Sequence, residues 1–294
     1  MKRLYLLSIL TVFAAAMAVL ALVVWPLPAT QSVPELKGDA KRGAYLARLA
    51  GCVTCHTAPG GKPMSGGAAL ESKFGNFYAP NITPDAEYGI GRWTFQQFAR
   101  AVRQGVSPDG ESYYPAFPFE FYASLTDRDL ADIWEALQAV PAVAAPSTPN
   151  AVKFPFNIRL GLKPWRSLFE RVYTYKEDPS RSEAWNQGRY LVLGPTHCAA
   201  CHSPRNLAGG LAPEGDLSGD PVMQDGGASP SITSHDLLTN GWTKENLVSA
   251  LKTGVLPDGD TLGGSMAEVV HGSTRFLLSK HLDDMATYLL DIKD

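Results

Sequence analysis

Six residues carry the reactive chemistry of this 294-residue chain: Cys52, Cys55 and His56, then Cys198, Cys201 and His202. They include all four of its cysteines, set in two C-x-x-C-H segments. Three chemistries compete for such a segment. Structural zinc pairs two C-x-x-C knuckles about 15–20 residues apart, whereas here residues 56–197 intervene and the histidines would have no task. A thioredoxin-like redox pair expects a βαβ setting, which the sequence lacks. Covalent c-type haem uses every residue: two thiols add to the porphyrin vinyl groups, and the next residue, histidine, reaches the iron. The spacing puts both sulfurs and the imidazole on one short helical turn. The expected cofactors are therefore two covalently attached haems c, with His56 and His202 as iron ligands.

The elements that must position these residues occur twice. Gly43, Tyr45 and Leu46 precede the first segment, and Gly188, Tyr190 and Leu191 precede the second. Pro80-Asn81-Ile82-Thr83 is answered by Pro230-Ser231-Ile232-Thr233, and Trp93-Thr94 by Trp242-Thr243. The turn Gly105–Gly110 is answered by Gly254–Gly259, 12 residues after the Trp in both copies. So many matches in one order mark an internal repeat.

Each copy reads as helical. Tyr45, Leu46 and Leu49 share a face, and Trp93, Phe95, Phe98 and Val102 follow helical spacing, as do Leu247, Val248 and Leu251. Thr126 with Asp129 predicts a capping box, and Ser279 predicts the cap of the last helix. No run of alternating strands is visible. Between the copies, 142–182 opens Pro-rich and becomes aromatic and basic, with Phe154, Phe156, Trp165, Arg166, Phe169 and Arg171. That composition predicts a strap packed across the copies rather than a flexible linker. A partner-docking surface is the sharper alternative.

At the N-terminus, Met1-Lys2-Arg3 precedes an uncharged stretch from Leu4 to Trp25, long enough for a hydrocarbon core needing about 20 residues. Ala14, Ala16 and Ala18 offer a small-residue cleavage site, but apolar sequence runs on past them to Trp25, which favours an uncleaved signal anchor over cleavage, with Lys2 and Arg3 on the cytoplasmic side and Pro26, Pro28 and Pro34 as a stiff spacer. The formal net charge of −3 and pI near 6.1 give no basic face for nucleic acid.

The chain resembles membrane-anchored dihaem cytochromes c, similar to the cytochrome subunits of periplasmic alcohol, aldehyde and gluconate dehydrogenases. The resemblance rests on the two C-x-x-C-H segments, Pro80–Thr83, Gly89–Trp93, Tyr114–Pro118, Phe154–Asn157 and Trp165. It implies an all-α fold of two tandem class I cytochrome c domains behind a transmembrane helix. The divisions expected are an anchor over 1–30, a first domain over 36–141, the strap over 142–182 and a second domain over 183–294. It also implies that the carbonyls of Pro80 and Pro230 accept hydrogen bonds from His56 and His202. The location implied is the periplasmic side of a bacterial inner membrane. The role implied is to carry electrons from a periplasmic dehydrogenase to an oxidase or soluble cytochrome of the respiratory chain.

Class I modules usually place a methionine on the far side of the haem. Met266 stands 24 residues after Trp242, and the same count from Trp93 reaches Phe117. Met266 is therefore the expected second ligand of the second haem, and the first haem has Phe117 where a thioether should be. Among the alternatives, His271 and His281 lie nearby, with His281 read as a surface residue, while His235 and His197 lack register support. In the first copy Met64 is read as lying on the wrong side, and Tyr113 and Tyr114 as packing at the porphyrin edge. The sixth ligand of haem 1 stays open. That vacancy motivates the rival to electron carriage, a haem enzyme such as a peroxidase or an oxidase of small sulfur compounds. Its candidate acid/base groups are Glu111, Glu120 and Lys62, by sequence proximity alone.

Overall fold

The computed structural model describes residues 2–27, 29–213 and 216–291, except the side chains of 2–8 and 23. Pro28 of the spacer and the side chains of Lys2 and Arg3 lie outside the described residues. The first copy holds α2 (Ala40–Leu49), α3 (Cys52–His56), α4 (Phe95–Gln104), α5 (Phe119–Tyr122) and α6 (Asp127–Gln138), behind α1 (Lys2–Val24). After α7 (Leu162–Phe169) the second copy holds α8 (Glu183–Leu193), α9 (Ala199–His202), α10 (Ser234–Thr239), α11 (Lys244–Thr253), α12 (Gly264–Gly272) and α13 (Ser279–Leu289).

The matched sequence signals are the helix boundaries. Thr94 caps α4 and Thr243 caps α11, each in a full capping box closed by Gln97 or Asn246. Both helices stop at the matched glycines, Gly105 and Gly254, whose φ of 58° and 80° is the left-handed conformation a helix end favours. The matched Gly43 and Gly188 explain how each copy closes. A Cβ at Gly43 would lie 1.7 Å from the Asp132 carbonyl oxygen of α6, and one at Gly188 1.9 Å from that of Asp284 in α13. In both copies, then, the first and last helices cross backbone against backbone.

Two caps differ from the sequence expectation. Thr126 accepts from the Asp129 amide, but the Asp129 carboxylate turns away to Arg42 and Tyr190, so the box is half made. Ser279 is the first residue of α13 rather than its cap, and the Leu278 amide before it donates to Tyr45 Oη at 3.3 Å. In both places a contact from far along the chain, at the Asp129 carboxylate and at the Leu278 amide, takes the place of the local cap.

Helix dominates, as expected, but a small antiparallel sheet is present, in the order β1 (Ala69–Leu70), β2 (Gly75–Tyr78), β3 (Ala151–Val152). Strands this short leave no alternation to read. β3 comes from the 142–182 segment and pairs Val152 with Gly75, where a Cβ would meet the Ala151 carbonyl at 2.3 Å.

That segment packs on both copies. Arg166, 5% exposed, donates to the carbonyls of Gly105 and Gln104, pairs with Glu170 and lies 4.6 Å over the Phe119 ring. The Tyr173 amide donates to Glu120, and its ring stacks on Phe121 at 4.5 Å. Trp165 Nε1 donates to Ala208 of the second copy at 2.7 Å. The copies also meet directly. Leu49 and Phe121 join the core of the second copy, Ser273 Oγ donates to the Leu49 carbonyl, and Arg48 lies 4.3 Å over Phe276.

The N-terminal segment is helical over Lys2–Val24, with Ile9, Leu10, Val12, Phe13, Met17, Val19 and Leu20 exposed. Among the described residues, no helix is long and apolar enough to cross a membrane. The described side chains of α1 begin only at Ile9. The structure thus supplies the expected helix and not the expected span.

Candidate functional site

Each C-x-x-C-H segment starts where a long helix ends. Gly51, with φ 75°, turns the chain from α2 into α3, and the Cys55 amide closes onto the Gly51 carbonyl at 2.9 Å. In the second copy the Cys198 amide closes onto Val192 at 3.1 Å, and the His202 amide onto Cys198 at 2.9 Å. The local turn is encoded by the motif; its placement is encoded by the preceding helix.

Both histidines are held in the same way. His56 Nδ1 lies 2.7 Å from the Pro80 carbonyl, and His202 Nδ1 lies 2.8 Å from that of Pro230. A carbonyl only accepts, so Nδ1 carries the hydrogen and Nε2 keeps its lone pair. Burial lowers the pKa of both imidazoles, which favours the neutral form that can bind a metal. The Pro80 loop is in turn clamped by Asn81, 3% exposed. Its Nδ2 donates to Val143 and Ala145, and its Oδ1 accepts from the Thr83 amide and hydroxyl. This positioning role was not legible in the sequence. Its only signal was the Pro80–Thr83 match, where the second copy has Ser231, bonded instead to Asp236.

Cys52, Cys55 and His56 open into one apolar cavity, which with the solvent at its mouth encloses about 1170 Å³. Pro80, Trp93, Tyr113, Tyr114, Phe117 and Tyr122 also line it. Two thiols, one imidazole with a free Nε2 and an apolar wall around a single wide space fit a haem. They do not fit the rival chemistries. Burial pushes the Cys52 thiol up to about 12 and the Cys198 thiol up to about 11, so neither is a thiolate ready for disulfide exchange. Among the described residues, no group of three or more His, Cys, Asp or Glu could hold a metal ion.

Phe117 lines the same cavity as His56. Met64 is buried in the first core and is not part of the cavity lining. Tyr113 and Tyr114 do line it, and burial raises the Tyr113 phenol to about 12, keeping it protonated. None of Glu111, Glu120 and Lys62 lines it, so the sequence-adjacent acid/base candidates do not converge on this space. Met266 lies half-buried on α12, against the core cluster that also receives Cys198, Ile232 and Trp242. His271 is turned to the Ala267 carbonyl of its own helix, and His235 is exposed. His281 corrects the surface reading: it is half-buried, with Nδ1 2.6 Å from Tyr45 Oη of the first copy.

No protein-family model matches the chain. Individual relatives do. A dihaem cytochrome c-type protein of Cereibacter sphaeroides is 36% identical over 260 residues, covering 85% of this chain and 86% of that protein. The chain belongs to the dihaem c-type cytochromes. It is also 38% identical to a nicotinate dehydrogenase subunit of Pseudomonas putida over 90% of its length, and 36% identical to the cytochrome c subunit of the quinone alcohol dehydrogenase of Gluconobacter oxydans over 85%. It spans only 23% of the former and 54% of the latter.

One carboxyl in this cytochrome is tuned by the contact between its copies. Burial raises Glu120 to about 7, partly opposed by Arg205 of the second copy; Glu170 raises it further and Arg166 lowers it. A raised carboxyl favours the fold while protonated. Its contribution is full below the ordinary value of 4.5 and is lost as pH rises through 7. The melting temperature should therefore fall between pH 5 and pH 8, by the equivalent of up to about 3 kcal/mol. Glu120→Gln should flatten that dependence; an equally steep melting profile in the variant would refute it.

Proposed function

We propose that this chain is an electron carrier, taking electrons from a dehydrogenase and passing them through two covalently held haems c to a respiratory acceptor, an oxidase or a soluble cytochrome. One observation carries the reading: the same Cys-Cys-His-to-proline-carbonyl arrangement is built twice, His56 on Pro80 and His202 on Pro230. Bound haem supplies a one-electron iron couple. The chain's residues do the rest. Cys52 and Cys55 would hold the first haem and Cys198 and Cys201 the second, with His56 and His202 toward the irons. The proline carbonyls fix both rings and raise their basicity. Met266 is the proposed sixth ligand of the second haem, where a thioether raises the potential. Phe117, Tyr113 and Tyr122 line the first cavity and would shield the first haem from water. Relatives named as dehydrogenase subunits, one of them a cytochrome c subunit, favour carriage over a haem enzyme and motivate the dehydrogenase partner.

The modules in this reading are 36–141 and 183–294, joined by the strap over 142–182 and tethered by 1–30 at the periplasmic face of a bacterial inner membrane. The described side chains of α1 fall short of a span, and the uncharged sequence from Leu4 to Trp25 makes up the length. Membrane fractionation with an alkaline wash tests this part: the full chain should pellet, and a chain lacking residues 1–30 should not.

The functional test is spectroscopic. The purified protein should carry two covalent haems by intact mass and should take up one electron per haem reversibly. EPR and optical signals of the second haem should be unchanged by CO or cyanide, and the protein should show no peroxide turnover. A high-spin haem that binds these ligands, with peroxide turnover, would establish the enzyme reading instead.

A further inference from the structure

His197 sits directly before the second attachment segment and faces the first. It is a non-glycine residue in the left-handed region, with φ 41°, a conformation that costs about 1–2 kcal/mol and persists when surroundings impose it. Those surroundings are the other copy. Its Cε1 would lie 3.5 Å from a Cβ at Gly51, the residue before Cys52. Its ring meets Tyr122 edge-on at 5.7 Å and Phe121 at 6.3 Å. Tyr122 in turn lines the first cavity and donates to the Ala50 carbonyl. On the same loop, a Cβ at Gly194 would lie 2.4 Å from Ser124 Oγ. His197 Nδ1 is 3.0 Å from the Pro195 carbonyl, so the ring is pinned from its own side as well. His197 is not part of the first cavity's lining, which sets it apart from a ligand there.

We propose that His197 is a positioning residue for electron exchange between the two haems: its ring locks the chain entering Cys198 against the chain entering Cys52. Each attachment segment would hold its haem through the cysteines, so the contact between the segments would set the separation of the cofactors. Exchange falls steeply as that separation grows. This inference rests on the two-haem reading above.

The test uses the full haem-loaded chain with His197→Asn, since Asn tolerates the left-handed backbone but cannot reach Gly51. His197→Gln retains more of the bulk, and the exposed His235→Asn is the control. Three quantities are measured: haem content by intact mass, melting temperature, and the rate of electron equilibration between the haems after photoreduction. The expected result is two haems in every variant and a several-fold slowing in His197→Asn. His197→Gln should fall between it and wild type, with His235→Asn unchanged. Should His197→Asn fail to assemble, slowing in His197→Gln alone supports the proposal. Wild-type exchange in the His197 variants, even with lowered melting temperatures, overturns it and leaves a structural role. Wild-type protein without two haems overturns the functional reading itself.

Discussion

Met266→Ala should abolish the thioether-to-iron charge-transfer band of the oxidised protein and lower the potential of one haem while leaving the other in place. The reasoning follows from which bonds hold what. In the proposed arrangement Cys198 and Cys201 attach the second haem and His202 reaches its iron. Removing the far-side sulfur therefore costs the ligand field and not the cofactor. A thioether opposite histidine favours the reduced iron, so its loss lowers the potential. Met266 stands on α12, half-buried against the core that holds Cys198 and Trp242. Intact mass should still show two haems. A surviving band would mean that another side chain is the ligand. The reciprocal change is Phe117→Met, at a position that lines the same cavity as His56. It should create a second thioether band and raise the potential of the first haem. Absence of a new band would break the register that pairs 117 with 266.

Gly43→Ala and Gly188→Ala should each destabilise the protein by on the order of 3 kcal/mol, the upper range for overpacking. A methyl group at either site would sit 1.7 or 1.9 Å from a backbone carbonyl oxygen, and neither neighbour is a side chain that can swing aside. The first and last helices of that copy would have to separate. Around Gly43 the separation also strains Arg42, which pairs with Asp129 and Asp132. Gly161→Ala is the control, because a Cβ there meets nothing within 4 Å; it should stay within about 0.5 kcal/mol of wild type. Thermal or denaturant melts decide. A Gly43 or Gly188 variant as stable as the control would show that these helices do not cross as described.

Much of the architecture was readable because it is local and repeated. The capping boxes at Thr94 and Thr243 and the helix stops at Gly105 and Gly254 lie within a few residues of the helices they bound. Duplication made each visible twice. The failures have one cause. Asp129 was read as closing a local box, but its carboxylate meets Arg42 and Tyr190, far along the chain. Ser279 was read as a cap, but the chain there is held by Tyr45. The small sheet was missed because its strands are too short for periodicity, and the third, two residues from 142–182, finds its partner near Gly75. His281 was read as exposed, yet it lies under Tyr45.

The sequence by itself carried the expectation of haem attachment, since two cysteines and a histidine on one turn need only their own spacing. It also determined the twofold repeat and the asymmetry between Met266 and Phe117, which follow from counting. The tertiary structure decided how the copies meet. It placed His197 against Gly51, Glu120 near Arg205 and Arg166 under the carbonyls that end α4. These contacts join residues more than fifty positions apart. They form only when buried polar groups and ring faces from both copies and the strap find partners together, a condition of the whole fold and of no segment in it.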